Sequence, residues 1–463
     1  MTTPRLYIGI ETTVRELDAK LLLACVAAEA GFEVWMGQQK MFLRQLETMP
    51  QGILFNKSIS PSKARKYAHY KRLGFPLVAY DEEGLAPFNA DEYQKRRVNV
   101  DSLRALDYFF AWGEWQKTVI GQKAPDALRH VVTVGHPRVD LTRRTIRGFY
   151  ADQVRALRER YGAFVLINTN FSFYNHFKGR DIEAFLRLKT KAGKVVDEEQ
   201  RNYYRRISEH KKTLFYAFAD LVVKIRTRFP ELSVVLRPHP SEDHDYWRST
   251  LPDDPNIHVV HEGTVLPWIM ASTVMIHNSC TTGIEGYLLE QPVIAYRPVQ
   301  NDELDIFLPN ALSAEALNDE TLLNLVEQLM SHDALPPEFE QSAEKKAIAE
   351  QYITGLDGPL SCERIVEYLK QIQFPARTLT SMPYHAYSRL KRANAAIRQQ
   401  IRRIVQSKPT NAARQQYVRQ KFPGLDLENV RGLVKQFHQA TGRFAELHVS
   451  QPEADLLQIS HEG

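Results

Sequence analysis

Cysteine is scarce in this chain: Cys25, Cys280 and Cys362 are the only three in 463 residues, with no CxxC pair and no companion histidine spacing. That excludes a disulfide framework and a zinc module, and it fits a reducing compartment. Long apolar runs are missing too, since no segment reaches the roughly 18 to 20 residues that a membrane-spanning helix needs. The best amino-terminal candidate, Leu21 to Ala28, is interrupted by Glu29 and follows a strand-like run rather than a basic leader. No signal peptide is read there, and the expected location is the cytoplasm. Internal repeats of fixed period and low-complexity tracts are absent. So are the GxxxxGK[ST] phosphate loop, HExxH and GxSxG, which argues against the activities those motifs carry. A last absence is local: between Tyr368 and Leu425 there is no Asp or Glu against 12 Lys or Arg. The chain's net charge of +5 is therefore regional, because the remainder holds 48 basic against 55 acidic residues.

What is present is the composition of a globular protein, 43% hydrophobic and 25% charged, at a length that suggests two or three domains. Apolar strand-like runs occur at Leu6–Ile10, Phe32–Met36, Gly52–Phe55, Pro76–Tyr80, Tyr108–Trp112 and Val131–Val134, with helical patterns such as Val14–Ala30 and Ser60–Leu73 between them. Short apolar strands alternating with helices predict a parallel sheet covered on both faces. Residues 141–160 read as a basic connecting helix. A second series follows at Phe164–Asn168, Leu232–Leu236, Ile257–Val260, Val274–Ile276 and Pro292–Tyr296, with helices over Asp197–Arg228, Thr281–Glu290 and Asp319–Met330. The expected organisation is an α/β protein of two Rossmann-like domains, 1–145 and 146–372, facing a cleft, followed by a basic helical extension, 373–463. Ligands of such sheets bind beyond the carboxyl ends of the strands.

Four motifs stand at those ends. Asp81-Glu82-Glu83-Gly84 follows the fourth strand, and three consecutive acids are expected to repel and raise at least one carboxylate pKa, as a general base needs. Arg237-Pro238-His239-Pro240 ends another strand, its prolines fixing the backbone so that Arg237 or His239 can neutralise a leaving phosphate. Asn278-Ser279-Cys280-Thr281-Thr282-Gly283-Ile284-Glu285 opens a helix, where Ser279, Thr281, Thr282 and free N–H groups suit an anion and Glu285 suits ribose hydroxyls. Asn168-Thr169-Asn170 would face the same cleft, with Asn170 as a further nucleotide contact. Asp243-His244-Asp245, beside Glu242, matches a metal-holding DxD by letter but reads as a solvated helix start, so neither a metal nor a cofactor is assigned.

Taken in order, these motifs resemble a known family. Glu82-Glu83-Gly84 is similar to the D/E-D/E-G motif of bacterial sialyl- and polysialyltransferases, His239-Pro240 to their His-Pro motif, and Ser279 to Thr282 to their Ser/Thr-rich motif. The wider pattern resembles the surface carbohydrate biosynthesis protein family, through Arg15-Glu16-Leu17-Asp18, Tyr80 to Leu85 and Gly135-His136-Pro137-Arg138-Val139-Asp140, over about residues 1–370. The last segment also resembles one in CDP-glycerol polyol-phosphate transferases. The resemblance implies a GT-B fold and glycosyl transfer from a nucleotide-sugar. The implied donor is CMP-activated, such as sialic acid or 3-deoxy-manno-octulosonic acid (Kdo), and the implied acceptor is a glycan or lipid-linked glycan of a capsule or lipopolysaccharide. It implies Glu82 as base, His239 on the phosphate side, and Ser279 or Thr281 as phosphate ligand. Cys280 inside the Ser/Thr cluster departs from the pattern, and three acids in a row leave Asp81, Glu82 and Glu83 open as the base. Related Kdo transferases include retaining enzymes, for which no such base is needed.

In the last stretch, Tyr387, Leu390, Ile397, Ile401 and Ile404 recur at roughly helical spacing among Arg389, Arg392, Arg398, Arg402 and Arg403. A basic amphipathic helix over 384–421 would bind the anionic inner face of a membrane or pack on the body. Few aromatics are interleaved, which argues against nucleic acid. Two other readings accompany the glycosyltransferase: a CDP-glycerol polyol-phosphate transferase or UDP-sugar 2-epimerase, and a non-catalytic assembly protein.

Overall fold

Runs of four or five apolar residues bounded by polar turns are the signature of strands buried on both faces, and each run above forms one. The computed structural model describes residues 3–47, 49–85, 89–180, 182–183, 186–187, 197–331, 334–374 and 422–461. Its strands are β1 (Arg5–Ile10), β2 (Glu33–Gln38), β3 (Ile53–Asn56), β4 (Leu77–Tyr80), β5 (Tyr108–Ala111), β6 (Val131–Thr133), β7 (Phe164–Asn168), β8 (Ser233–Arg237), β9 (Ile257–Val259), β10 (Val274–His277), β11 (Val293–Tyr296), β12 (Ala314–Ala316), β13 (Leu447–Glu453) and β14 (Leu456–His461). The chain divides into two compact units, Met1–Phe149 with Glu350–Gly463, and Tyr150–Ala349.

Unit 1 holds a sheet of order β13-β14-β2-β1-β3-β4-β5-β6. Its six-strand body is parallel throughout, and the β13–β14 hairpin joins β2 in antiparallel register. The helix Thr13–Glu29 after β1 is apolar on all sides from Leu21 to Ala28 and correspondingly buried. One side meets the sheet, and the other meets the helix Ser361–Lys370.

Unit 2 holds a sheet of order β12-β11-β10-β7-β8-β9, parallel at every pairing. Counted within the unit this is 3-2-1-4-5-6, the dinucleotide-binding order, and its direction reverses between β7 and β10. The helix Glu198–Arg228 connects β7 to β8 over 31 residues. At 1.5 Å per residue it runs about 46 Å, far more than a five-residue strand of about 17 Å needs. Its last turns cover the sheet with Leu214, Phe218, Leu221, Val222 and Ile225, and its first half overhangs the carboxyl edge.

The fold class is as the sequence suggests, two Rossmann-like α/β units, the make-up of a GT-B chain. The domain limits differ. Residues 350–372, read as part of the second domain, cluster with the first. Asp140 is the physical reason: its carboxylate accepts the Ser361 and Cys362 N–H groups, both at 2.8 Å, and caps the returning helix Ser361–Lys370. The chain end also departs from a basic helical extension. From Phe422 it forms the helix Leu427–Thr441 and the hairpin. Phe437 stacks on Phe149 at 4.0 Å, while Arg443 pairs with Glu29 and Glu363. The basic amphipathic segment 384–421, with Tyr387, Leu390 and Ile397 to Ile404, lies outside the described residues. No described helix is long and apolar enough to cross a membrane.

Candidate functional site

The acidic loop after β4 is held in place by close packing. Gly84 fits because a Cβ there would meet the Gln116 amide nitrogen at 2.2 Å. Trp112 donates its indole N–H to the Asp81 carbonyl at 2.7 Å. Asp81 is fully buried and held by Arg97. Glu83 reaches outward, its side chain 57% exposed, between Arg15 and Arg97 at 3.4 and 3.1 Å. Glu82 points inward, 6% exposed, to the buried Lys20 ammonium at 3.2 Å. That ammonium also binds Glu16 at 2.6 Å and the Gly9 carbonyl at 2.7 Å.

The three acids are therefore compensated by cations from other elements, Arg97 serving Asp81 and Glu83 together, Arg15 also reaching Glu83, and Lys20 serving Glu82. The expectation of a raised pKa fails at Glu82. Burial pushes its carboxyl up, but Lys20, Arg15 and Arg138 outweigh that and hold it below its ordinary value. His136 completes the pocket, stacked on Trp112 at 3.8 Å with its Nε2 3.8 Å from Glu82. Its Nδ1 accepts the Arg138 N–H at 3.1 Å, so the neutral ring carries its proton on Nε2, toward Glu82. Burial, then Arg138 and Lys20, depress this imidazole well below the usual range and keep it neutral.

In unit 2 the remaining motifs all stand at strand ends. Asn168 ends β7 and Thr169 follows it, both buried, with Asn170 half-buried beyond them. After β10, Asn278 accepts from the Lys211 ammonium at 3.0 Å and donates to the Tyr296 carbonyl at 3.1 Å. Lys211 lies on the long helix where it passes the carboxyl edge, and it has no carboxylate within ion-pair distance among the described residues. Burial pushes it down to about 8, with Asp305 the main charge opposing. The ammonium thus stands between Asn278 beyond β10 and the Phe171 ring on the loop after β7, 5.9 Å from its centre.

The Ser/Thr segment divides its labour. Ser279 has φ of 47° and is 1% exposed. Its hydroxyl accepts from Asn310 at 3.0 Å and its N–H donates to the Asn310 Oδ1 at 3.2 Å. A serine in the left-handed region is strained and persists only where its surroundings fix it. Beneath it, the Cys280 N–H donates to the His277 Nδ1, and His277 Nε2 donates to Ser313 at 2.9 Å. Burial lowers His277 to about 3. Gly283 packs on that ring, where a Cβ would sit 2.4 Å from Nε2. Ser279 is thus a framework residue more than an exposed phosphate ligand. Thr281 and Thr282 beside it are half-buried, and the Thr282 hydroxyl oxygen itself is enclosed. Glu285 sits one turn on, buried, and acts electrostatically on Arg237.

Arg237 is also buried, its guanidinium donating to the Glu262 carbonyl at 2.6 Å and lying over Trp268. Burial lowers it to about 10. His239 is exposed on the following loop. The Ser241 N–H donates to its Nδ1 at 3.2 Å, which leaves the neutral ring's proton on Nε2. Glu242, read as part of a solvated helix start, is instead buried. It accepts from Thr169 at 2.8 Å, Phe171 N–H at 3.1 Å, His239 N–H at 3.1 Å and Trp247 at 2.8 Å. It locks the loops after β7 and β8 together. Asp243 does start a helix, accepting from Asp245 and Tyr246 N–H, both at 3.1 Å. The described residues hold no cluster of three or more acidic, His or Cys side chains fit for a metal ion.

Sequence reasoning missed Lys20, Lys211, Asp305, Asn310 and the clamp role of Glu242. Lys20 did carry a signal, a cation one turn after Glu16 at the start of the helix's apolar run. Lys211 carried none, being one of many polar residues on an amphipathic helix.

No family model matches this chain, and no curated protein matches it. Among solved structures it is similar to the UDP-GlcNAc 2-epimerase of Methanocaldococcus jannaschii in complex with UDP-GlcNAc and UDP, at 15% identity and a TM-score of 0.49 over 80% of this chain and 100% of that one. It is similar to S. aureus MnaA with UDP at 13% and 0.47, over 81% and 100%. It is similar to the wall teichoic acid polymerase TagF at 9% and 0.49, over 80% and 88%. Likeness of this depth leaves the activity to be argued from the site.

Proposed function

We propose that this chain is an enzyme of surface-polysaccharide synthesis that transfers a sugar from a nucleotide donor held at the β7–β10 reversal of unit 2. The observation that carries the reading is the setting of Lys211. It is a buried ammonium with no carboxylate partner among the described residues, held by Asn278 beyond β10 and lying beside Phe171 on the loop after β7. A phosphate there would meet a positive charge that no carboxylate of the described residues pairs with. Arg237 and His239 extend the phosphate side, and Glu285 the ribose side.

The finer assignment is a glycosyltransferase using a CMP-activated ulosonate, such as Kdo or sialic acid, and a glycan or lipid-linked glycan acceptor. In an inverting transfer, the acceptor oxygen forms a bond to the anomeric carbon as the bond to phosphate breaks. The nucleotide leaves with the electron pair, and a base takes the hydroxyl proton. Of the three acids, Glu83 alone has an exposed carboxylate, and we assign it that role. Glu82 and His136 form the buried floor of the loop, and Glu82 stays ionised as the partner of Lys20.

The test is thermal stabilisation by CMP, CDP, UDP and their sugars, followed by nucleotide release from a panel of CMP-sugars. We expect CMP to stabilise the protein and release to be lost in Glu83→Gln and His239→Ala. Stabilisation by UDP or CDP instead would move the assignment to a UDP-sugar 2-epimerase or a CDP-glycerol polyol-phosphate transferase. No binding of any nucleotide would falsify it.

A further inference from the structure

The loop after β3 carries basic and hydroxyl side chains that neither the nucleotide site nor the acidic loop uses. It reads Lys57-Ser58-Ile59-Ser60-Pro61-Ser62-Lys63-Ala64-Arg65-Lys66 and runs into the helix Ala64–Arg72. Within the parallel body of unit 1 the order is 2-1-3-4-5-6, so the direction reverses between β1 and β3. The loop leaves the carboxyl end of β3 at that reversal, where open α/β sheets take ligands.

The cations of this loop are unequally served. Lys57 is paired, with Glu11 at 2.5 Å and Glu16 at 3.5 Å. Lys63 is half-buried and has no carboxylate within ion-pair distance among the described residues. The leading charges acting on it are Lys66 and Lys57 with the same sign, then Glu11 opposing them, then Arg97. Burial first, then Lys66 and Lys57, lower its ammonium to about 8. Arg65 and Lys66 are exposed and likewise make no ion pair with a described residue. Along the same loop the Ser58, Ser60 and Ser62 hydroxyls form a chain with spacings of 3.2 and 3.1 Å. A partly desolvated ammonium among like charges is unfavourable by itself, and an oxyanion seated beside it would reverse that balance.

We propose that Lys63 and Lys66, on the loop that carries the Ser60–Ser62 hydroxyl pair, bind an oxyanion, phosphate or carboxylate, borne by the acceptor substrate. Naming the acceptor rests on the function proposed above, whereas the oxyanion site itself does not. The acceptor is then an anionic saccharide, through either a phosphate linkage or an acidic sugar.

The experiment uses the full chain with its lysines reductively 13C-methylated and the Lys63 resonance assigned by its loss in Lys63→Gln. Inorganic phosphate and sodium glucuronate are titrated separately, each against sodium chloride at matched ionic strength. A saturable shift of the Lys63 resonance with phosphate alone supports a phosphate-bearing acceptor. One with glucuronate alone supports an acidic sugar, and one with both supports a general oxyanion site. In Lys66→Gln the apparent affinity should fall about tenfold, the order expected for one charge-assisted hydrogen bond. A resonance that stays still, or that follows chloride equally, overturns the proposal. Nucleotide stabilisation measured on Lys63→Gln separates the two readings. It should match the unsubstituted protein, and its absence in both would remove the nucleotide reading while leaving the oxyanion result standing.

Discussion

Each unit buries a lysine beside its strand ends, and the two are treated in opposite ways. Lys20 of unit 1 lies against Glu16 and Glu82. Burial would lower its ammonium, but the two carboxylates raise it overall. Lys211 of unit 2 has a neutral amide for a partner, and burial lowers it to about 8. The first charge is compensated within the protein and serves the framework. The second is left open, which is what a site for an arriving anion requires. The difference marks where to look for ligand and where to look for architecture.

The largest test of that contrast is Lys20→Met. It strands two buried carboxylates, so folding stability should fall by about 3–5 kcal/mol, measured by urea unfolding. A loss under 1 kcal/mol would mean the triad is not a framework element. Next is Asp140→Ala, which frees the two N–H groups at the start of the returning helix; about 2 kcal/mol should be lost in the same assay.

The pH response sharpens the comparison further. Glu82 is depressed, so its contribution is present above the unfolded carboxyl value and is lost only as acid passes through the folded one. Lys20 is raised, so its contribution holds until the pH passes its folded value. Unit 1's triad is thus steady across neutrality. Lys211 is depressed from 10.5 to about 8, so the unfolded chain binds more protons between those values and stability rises with pH there. The gain should be roughly 1–2 kcal/mol from about pH 8 to 9.5. Lys63 acts in the same sense, so the readout is the difference between the unsubstituted protein and Lys211→Met, which should lose its share.

At pH 7, where the buried charge is unfavourable, Lys211→Met should raise folding stability yet weaken nucleotide binding about tenfold. Unchanged binding would cancel the contrast. The smallest effect is expected for Glu83→Gln. This exposed side chain should shift stability by no more than about 0.5 kcal/mol, while sugar transfer is lost.

Much of the fold was legible because strands covered on both faces are written as short, unbroken apolar runs, such as Phe164–Asn168 or Val274–His277. β12 was hidden by its brevity and its central Glu315, and the hairpin Leu447–His461 by a tail dominated by basic charge. The return of residues 350–374 to unit 1 depends on Asp140 meeting Ser361 more than 200 positions away, which no local pattern announces. At the site, the positions after strands were readable, but the state of each side chain was not. Three adjacent acids suggest mutual repulsion until Lys20, Arg15 and Arg97 arrive from other elements. Ser279 reads as a ligand until Asn310 is seen to occupy it.

Because unit 1 is assembled from two stretches of sequence that precede and follow unit 2, synthesis completes unit 2 while unit 1 still lacks its hairpin. Until β14 emerges, β2 is the last strand on its side, with unpaired backbone groups that another chain could capture. Protein truncated before Phe422 would keep that liability permanently. Self-association of such fragments is therefore to be expected even if their nucleotide-binding half folds normally.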